Sequence, residues 1–129
     1  MKKLLVTPFL NDPFAFVYQA FKNLYPEKEA ECFYDPTLTT PAEAMAGKSF
    51  EGYGYTNFPD DGSMPQIGVG VGLPVFDTVE ILAHELAHVA VGSSHKHDEY
   101  WEAAFTAIGD EYERLIAEAV SENNHNTEE

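Results

Sequence analysis

The segment "DTVEILAHELAHVAVG" (77–92) constrains the fold most, because it places two histidines four residues apart in an otherwise apolar stretch. On a helix, His84 and His88 project from the same face, one turn apart. That separation suits two neighbouring ligands of a tetrahedral Zn²⁺, each with its nitrogen about 2.0–2.1 Å from the metal. Glu85 cannot easily join His84 at the metal, but it can reach a water there, where a general base acts. The pattern predicts a zinc site with Glu85 as the catalytic base.

The residues around this motif favour a helix. Asp77 is predicted to cap its first turn, with Glu80 three residues later in a capping-box arrangement, and Gly92 stands where helices commonly end. A charged pair inside this apolar segment would be costly to bury without a purpose. The expected core face of the helix consists of Leu82, Leu86 and Val89.

A third ligand has to come from outside the motif. The metzincin pattern requires a histidine six residues after the second one, and Ser94 occupies that position, which excludes this class. A gluzincin takes a carboxylate from a following helix instead. The acidic residues that fit this alternative are Glu102, Asp110 and Glu111.

Two histidines lie nearer to the motif than these carboxylates. His97 begins the final predicted helix, and Trp101 four residues later would pin that end against the core. A ligand held in this way is rigid, as a catalytic metal requires. His95 lies in the "GSSHK" turn with less to orient it. We therefore favour His97 as the third ligand, with His95 as the alternative.

Three protein ligands leave the fourth zinc position open, which is the catalytic arrangement. Glu85 would take a proton from the attacking water and pass it to the leaving amine. Another group should stabilise the developing oxyanion. Three tyrosines are candidates, and the sequence does not choose among them: Tyr53, Tyr55 and Tyr100.

Apolar periodicity predicts two more helices and three strands around the motif helix. The predicted helices are 12–26 and 98–120, and the predicted strands are 29–35, 49–58 and 66–74. Residues 36–49 have loop composition. We expect one α+β domain over residues 1–120, with a small, mostly antiparallel sheet packed by the N-terminal, motif and long C-terminal helices. Residues 121–129 are predicted to be a polar, disordered tail.

Glycines alternate with apolar residues in "QIGVGVGLP" (66–74), so this strand has one bare face. A bare face lets another element approach the backbone closely. We expect a packed helix there, with a bound peptide as the alternative.

Composition limits the classes of protein that fit. Seven Lys and Arg against 22 Asp and Glu give a net charge of −15, which repels nucleic-acid backbones. Cys32 is the only cysteine, so the chain can form no internal disulfide. No apolar run approaches the ~18 residues of a membrane helix, and the N-terminal run is too short for a signal peptide. These features predict a cytoplasmic protein.

The segments "HELAHVAVG" and "HKHDEYWEAAF" together resemble the SprT-like, Spartan-related zinc metallopeptidases. The resemblance covers about residues 65–109 and implies a zincin-like fold. It implies His84, His88 and His97 as zinc ligands and Glu85 as the base. The zinc ribbon or basic DNA-binding region of many members is not found here, and the charge has the wrong sign for a protease of DNA–protein crosslinks. The resemblance therefore implies fold and chemistry without that substrate.

We expect a zinc-dependent metallopeptidase that acts on a peptide or protein substrate. In scale the chain is similar to small virus-encoded relatives, for which the compartment would be the host cytoplasm. An extended substrate is predicted to lie along a sheet edge by β-augmentation. Two alternatives stay open: a metal-binding but proteolytically inactive interaction module on the same fold, and a zinc hydrolase of non-peptide amides.

Overall fold

The computed structural model describes residues 12–39 and 53–126. Within these ranges the chain is a small α+β domain with three helices and a three-stranded sheet. In chain order the elements are α1 (Pro13–Leu24), β1 (Glu31–Thr39), β2 (Gly54–Asn57), β3 (Gln66–Val71), α2 (Val75–Val91) and α3 (Glu99–Asn126).

Helix α1 lies within the predicted range 12–26, with Asp12 as its N-cap. The Asp12 carboxylate accepts a hydrogen bond from the backbone N–H of Phe14 at 2.8 Å, and Pro13 fills the first position, where its missing N–H costs nothing. The helix ends at Leu24, shortly before Pro26. Its apolar stripe is buried at Val17, Ala20 and Phe21.

The sheet is mixed, with the strand order β1-β3-β2. Strand β1 runs parallel to β3, with Glu31 opposite Gln66, whereas β2 runs antiparallel to β3, with Gly54 opposite Val69. The prediction of a mostly antiparallel sheet is therefore wrong. The alternation of side chains indicates which face of a strand is buried, but it is the same in parallel and antiparallel strands.

The strand limits differ from the prediction, and β3 ends at Val71 instead of continuing to residue 74. Strand β1 continues to Thr39, so the predicted loop at 36–49 begins too early; its remaining residues lie outside the described ranges. The pairing shifts between Asp35 and Thr39, and β1 is an edge strand, so Pro36 is tolerated. Strand β2 occupies only the second half of the predicted strand at 49–58, whose first residues are likewise not described.

The bare face of β3 is covered by Tyr55 at Gly68 and by Leu38 of β1 at Gly70, and not by a helix. A side chain at Gly68 would collide with the ring of Tyr55 from the neighbouring strand. Helix α2 packs close to the sheet at Gly54 of β2, where an added Cβ would lie 2.5 Å from Ile81 Cγ2. The expectation of a helix on the glycine face is therefore wrong, because α2 packs on the opposite face of the sheet, against both β2 and β3.

Helix α2 begins three residues earlier than the capping pattern indicates. Pro74 is the N-cap, no side chain caps the helix, and Asp77 lies inside the first turn. The predicted capping role of Asp77 is wrong, because Pro74 has an extended backbone and its carbonyl accepts the first bond, from the Thr78 N–H at 3.0 Å. At the other end Gly92 caps the helix with φ 93°, as predicted.

Helix α3 begins at Glu99 and is capped by Asp98, whose Oδ1 accepts from the Trp101 N–H at 2.9 Å. The helix continues past residue 120, where a tail was predicted, and ends at Asn126. Residues 127–129 of that predicted tail lie outside the described ranges. The apolar stripe of this helix packs into or against the core: Trp101, Phe105, Ile108, Tyr112 and Leu115.

Helix α2 is the centre of the fold, since it packs against β2, β3, α1 and α3. The apolar core lies between these elements. Its largest fully buried side chains are Phe21, Ile67, Leu82, Leu86, Ile108 and Val17. None of the helices in the described ranges combines the length and apolar character needed to cross a bilayer.

Candidate metal centre

His84 and His88 lie one turn apart on α2, with their ring centroids separated by 5.2 Å. Both are half-buried, whereas Leu82 and Leu86 on the core side of the same helix are almost inaccessible. The two imidazoles are therefore fixed on the boundary between the core and solvent. This is the arrangement that the spacing of the motif predicts.

His97 completes a three-histidine cluster. Its Nε2 lies 3.0 Å from Nε2 of His84 and 3.2 Å from Nε2 of His88. Two nitrogens bound tetrahedrally at 2.0–2.1 Å from one zinc ion lie about 3.3 Å apart. The distances between the three donors therefore fit a single Zn²⁺, and among the described residues these three form a group that can hold a metal ion.

The chemistry of the three donors also favours a cation. A neutral imidazole nitrogen carries either one hydrogen or one lone pair in the ring plane. Nε2 of His97 can therefore form a hydrogen bond with Nε2 of His84 or of His88. The Nε2 of the remaining histidine then has no hydrogen-bond partner within the cluster. A cation accepts all three lone pairs together, so the arrangement fits a metal better than it fits internal hydrogen bonding.

The backbone of His97 is strained. Its φ of 33° makes it the one non-glycine residue with positive φ in the part of the chain that the structure describes. Such a conformation costs about 1–3 kcal/mol and is typical of functional sites, where the surrounding structure imposes it. His97 lies in the turn immediately before α3, and its imidazole contacts both motif histidines of α2.

Trp101 holds the cluster in place. Its indole Nε1–H donates to the backbone carbonyl of His84 at 3.1 Å, and its ring centroid lies 4.7 Å from those of both His84 and His97. On its other side the indole stacks on Phe105, at 5.1 Å and with 9° between the planes. Trp101 packs against the core, as the sequence predicts. It therefore couples the start of α3 to the middle of α2.

His95, the alternative third ligand, lies outside the cluster. Its Nδ1 forms a 2.7 Å ion-pair contact with Asp98 Oδ2, and its ring lies 4.8 Å from the ring of Tyr100. The backbone of His95 nevertheless contacts the cluster, because it hydrogen-bonds to the His88 imidazole. A hydrogen bond of this kind orients a ligand ring toward a metal.

The acidic residues that the sequence left open as ligands do not join the cluster either. Glu102, Asp110 and Glu111 are absent from the group of donors found in the described ranges. Glu111 instead forms two hydrogen bonds with Arg114, at 2.8 and 2.9 Å, and one with Asn23. These partners lower the pKa of its carboxyl group to about 2.

The environment of His84 and His88 favours their neutral forms. Burial, together with the nearby His88 and His97, lowers the pKa of His84 to about 4. The pKa of His88 is also lowered, mainly by burial. Because neutral imidazole is the form that binds metals, both groups are ready for a cation at neutral pH.

Glu85 is buried on the side of α2 that faces the sheet, with 7% of its surface exposed. Its Oε1 accepts a hydrogen bond from Thr56 Oγ1 at 2.6 Å. Burial raises the pKa of Glu85, while the bond from Thr56 and the positive charge that His97 can carry act in the opposite direction. A buried carboxylate with a raised pKa is well suited to accept and return a proton.

The three candidate tyrosines lie at different places. Tyr55 lies on the sheet face opposite to α2, and its hydroxyl donates to Asp35 Oδ2 at 2.8 Å. Tyr53 is partly buried against the core, and Tyr100 is 59% exposed, with its ring beside His95. The structure shows no contact between these side chains and the histidine cluster. Their role at an oxyanion stays a prediction.

Sequence reasoning missed two residues at this site. Thr56 lies 29 positions before Glu85, and nothing in the sequence links them. Asp98 could have been found, because an aspartate just before a helical pattern is a common N-cap signal. It caps α3 and pairs with His95, and it thereby shapes the turn that presents His97.

The fold and the cluster together define a class: a small α+β domain with a three-histidine site able to hold a metal ion. No protein-family model matches the sequence, and neither does any curated protein or any solved structure. The similarity to the SprT-like peptidases therefore stays a prediction from the motif.

Proposed function

We propose that the protein is a zinc-dependent metallopeptidase in which His84, His88 and His97 bind the metal and Glu85 is the general base. The observation that carries this proposal is the convergence of three Nε2 atoms, with separations of 3.0 and 3.2 Å from His97 to the other two. The carboxylate next in sequence to the first ligand supports the catalytic interpretation over a purely structural one.

The three histidines would leave one zinc position open, and the ion would polarise a carbonyl and lower the pKa of a bound water. The chain itself supplies the proton transfer. Glu85 accepts a proton from the attacking water and delivers it to the leaving amine. Its pKa is raised by burial, so the protonated form that returns the proton is accessible.

We place the substrate along β2. Among the described strands, β2 lies at one edge of the sheet and pairs with β3 on one side only. Its residue Thr56 contacts the proposed base. An edge strand offers backbone donors and acceptors to an extended peptide. A crystal structure with a product-like peptide bound elsewhere would contradict this placement.

The motif supports assignment to the SprT-like family with a zincin-like fold. The single cysteine, Cys32, fits a reducing compartment, and we propose the cytoplasm. The net charge of −15 favours a peptide or protein substrate over direct binding of nucleic acid.

Substitution of the base separates binding from catalysis. The Glu85→Gln variant should keep stoichiometric zinc and lose hydrolysis of an unfolded protein, because glutamine cannot take the proton. Glu80→Gln is the matched control, since Glu80 is exposed on the same helix, and it should retain activity.

Two other outcomes would favour the alternatives. A wild type that holds zinc but cleaves nothing in a broad peptide library would indicate an inactive interaction module. Activity restricted to small amides would indicate a hydrolase of non-peptide substrates.

A further inference from the structure

The hydroxyl of Thr56 makes a short hydrogen bond to Glu85. Its Oγ1 lies 2.6 Å from the carboxylate Oε1 and 3.4 Å from the backbone carbonyl oxygen of Glu85. A hydroxyl has one hydrogen, and the shorter contact takes it. The length falls within the 2.5–2.7 Å range of O–H···O⁻ bonds, which are about twice as strong as neutral ones.

Strand β2 brings this hydroxyl to the carboxylate through its alternation. Gly54 and Thr56 both face α2, and Thr56 is held in register opposite Ile67 of β3. At Gly54 an added Cβ would lie 2.5 Å from Ile81 Cγ2 and 3.3 Å from Oε2 of Glu85. The missing side chain lets α2 come close enough for Thr56 to reach its partner. Both carboxylate oxygens therefore lie against β2.

We infer that Thr56 is a positioning residue for the catalytic step and that it acts through Glu85. The bond anchors Oε1, so the carboxylate cannot rotate freely, and Oε2 is left to exchange the proton. A buried carboxylate without this partner would turn toward other donors or water. This inference rests on the proposed function, because it assigns Thr56 a role in holding the base.

The test compares two substitutions of the same residue. Thr56→Val keeps the shape and removes the hydroxyl, and we expect kcat to fall about 10- to 100-fold with KM and zinc content little changed. Thr56→Ser restores the hydroxyl and should recover most of kcat. Crystal structures should show the Glu85 carboxylate displaced in Thr56→Val and in place in Thr56→Ser.

Thr78→Val is the matched control. Thr78 is a buried threonine whose hydroxyl bonds to the carbonyl of Pro74 at the start of α2, away from Glu85. The same chemical change there should leave kcat unaltered, even where it lowers the melting temperature. An equal loss of kcat in both valine variants would mean that Thr56 is only structural.

The outcomes distinguish this inference from the proposed function. An active wild type whose Thr56→Val variant keeps its kcat, or keeps the Glu85 carboxylate in place, overturns the positioning role alone. Failure of Thr56→Ser to recover kcat overturns it as well. A wild type that holds zinc and hydrolyses nothing overturns the proposed function, and the positioning role with it.

Discussion

Nε2 of His97 lies 3.0 Å from Nε2 of His84, although the two histidines belong to different segments of the fold. His84 is in the middle of α2, and His97 lies in the turn before α3. Only the folded chain brings them together, so binding of a metal ion at this site would be coupled to folding. A metal that binds the folded state alone stabilises it by about 2.7 kcal/mol at a concentration 100 times its dissociation constant.

The first prediction distinguishes the two histidines near α3. His97→Ala should lose zinc, because two ligands on one helix turn hold the ion weakly. His95→Ala should retain it, since the His95 side chain contacts Asp98 and lies outside the cluster. Elemental analysis after dialysis against metal-free buffer measures both. Retained zinc in His97→Ala with loss in His95→Ala would reverse the ligand assignment.

The second prediction concerns acid and the metal-free protein. The pKa of His84 is about 4 in the folded chain, against 6.5 as its ordinary value. Between these pH values the unfolded chain binds a proton that the folded chain does not, so the free energy of unfolding falls as pH decreases. Urea unfolding of chelator-treated protein measures the free energy of unfolding at pH 7, about 5.5 and about 4, and the value should fall in that order.

The raised pKa of Glu85 acts with the opposite sign, because there the folded chain binds the extra proton on acidification. The His84→Ala variant isolates the histidine contribution. Its stability should fall less than that of the wild type between pH about 6.5 and about 4. Equal pH dependence in both proteins would contradict the prediction.

The sequence predicted the helical part of the site better than the sheet. The four-residue spacing of His84 and His88 determines their shared face on any helix, and Asp12 with Pro13 marks the start of α1. Such signals are local. The direction of β1 relative to β3 has no such local signal, because a strand has the same alternation whether its neighbour is parallel or antiparallel.

Contacts between distant residues account for the rest. Tyr55 covers Gly68 and Thr56 binds Glu85 only because β2 lies beside β3 and under α2. The positive φ of His97 likewise results from the packing of the turn, since histidine alone does not require it. Residue types can indicate a metal site, but tertiary structure determines which side chains hold its base and ligands.

The third prediction tests the close approach of α2 to β2. Gly54→Ala should destabilise the protein by about 1–3 kcal/mol, because the new methyl group overlaps Ile81 Cγ2. Gly109→Ala is the control: nothing lies within 4 Å of an added Cβ there, and alanine should stabilise α3 by about 1 kcal/mol. Urea denaturation measures both. A neutral Gly54→Ala would show that the helix can move away from the strand at little cost.

The fourth prediction concerns the indole of Trp101. Trp101→Phe keeps an aromatic ring beside His84 and His97 but removes the N–H that donates to the His84 carbonyl. Zinc affinity should fall about 10-fold, the lower end of the range for losing a group that orients a metal ligand. Tyr100→Phe is the control on the same helix turn: it also removes one polar group from an aromatic side chain, and Tyr100 is 59% exposed. Competition with a chromophoric chelator measures both dissociation constants, and equal values for the two variants would mean that the indole bond does not help to hold the cluster.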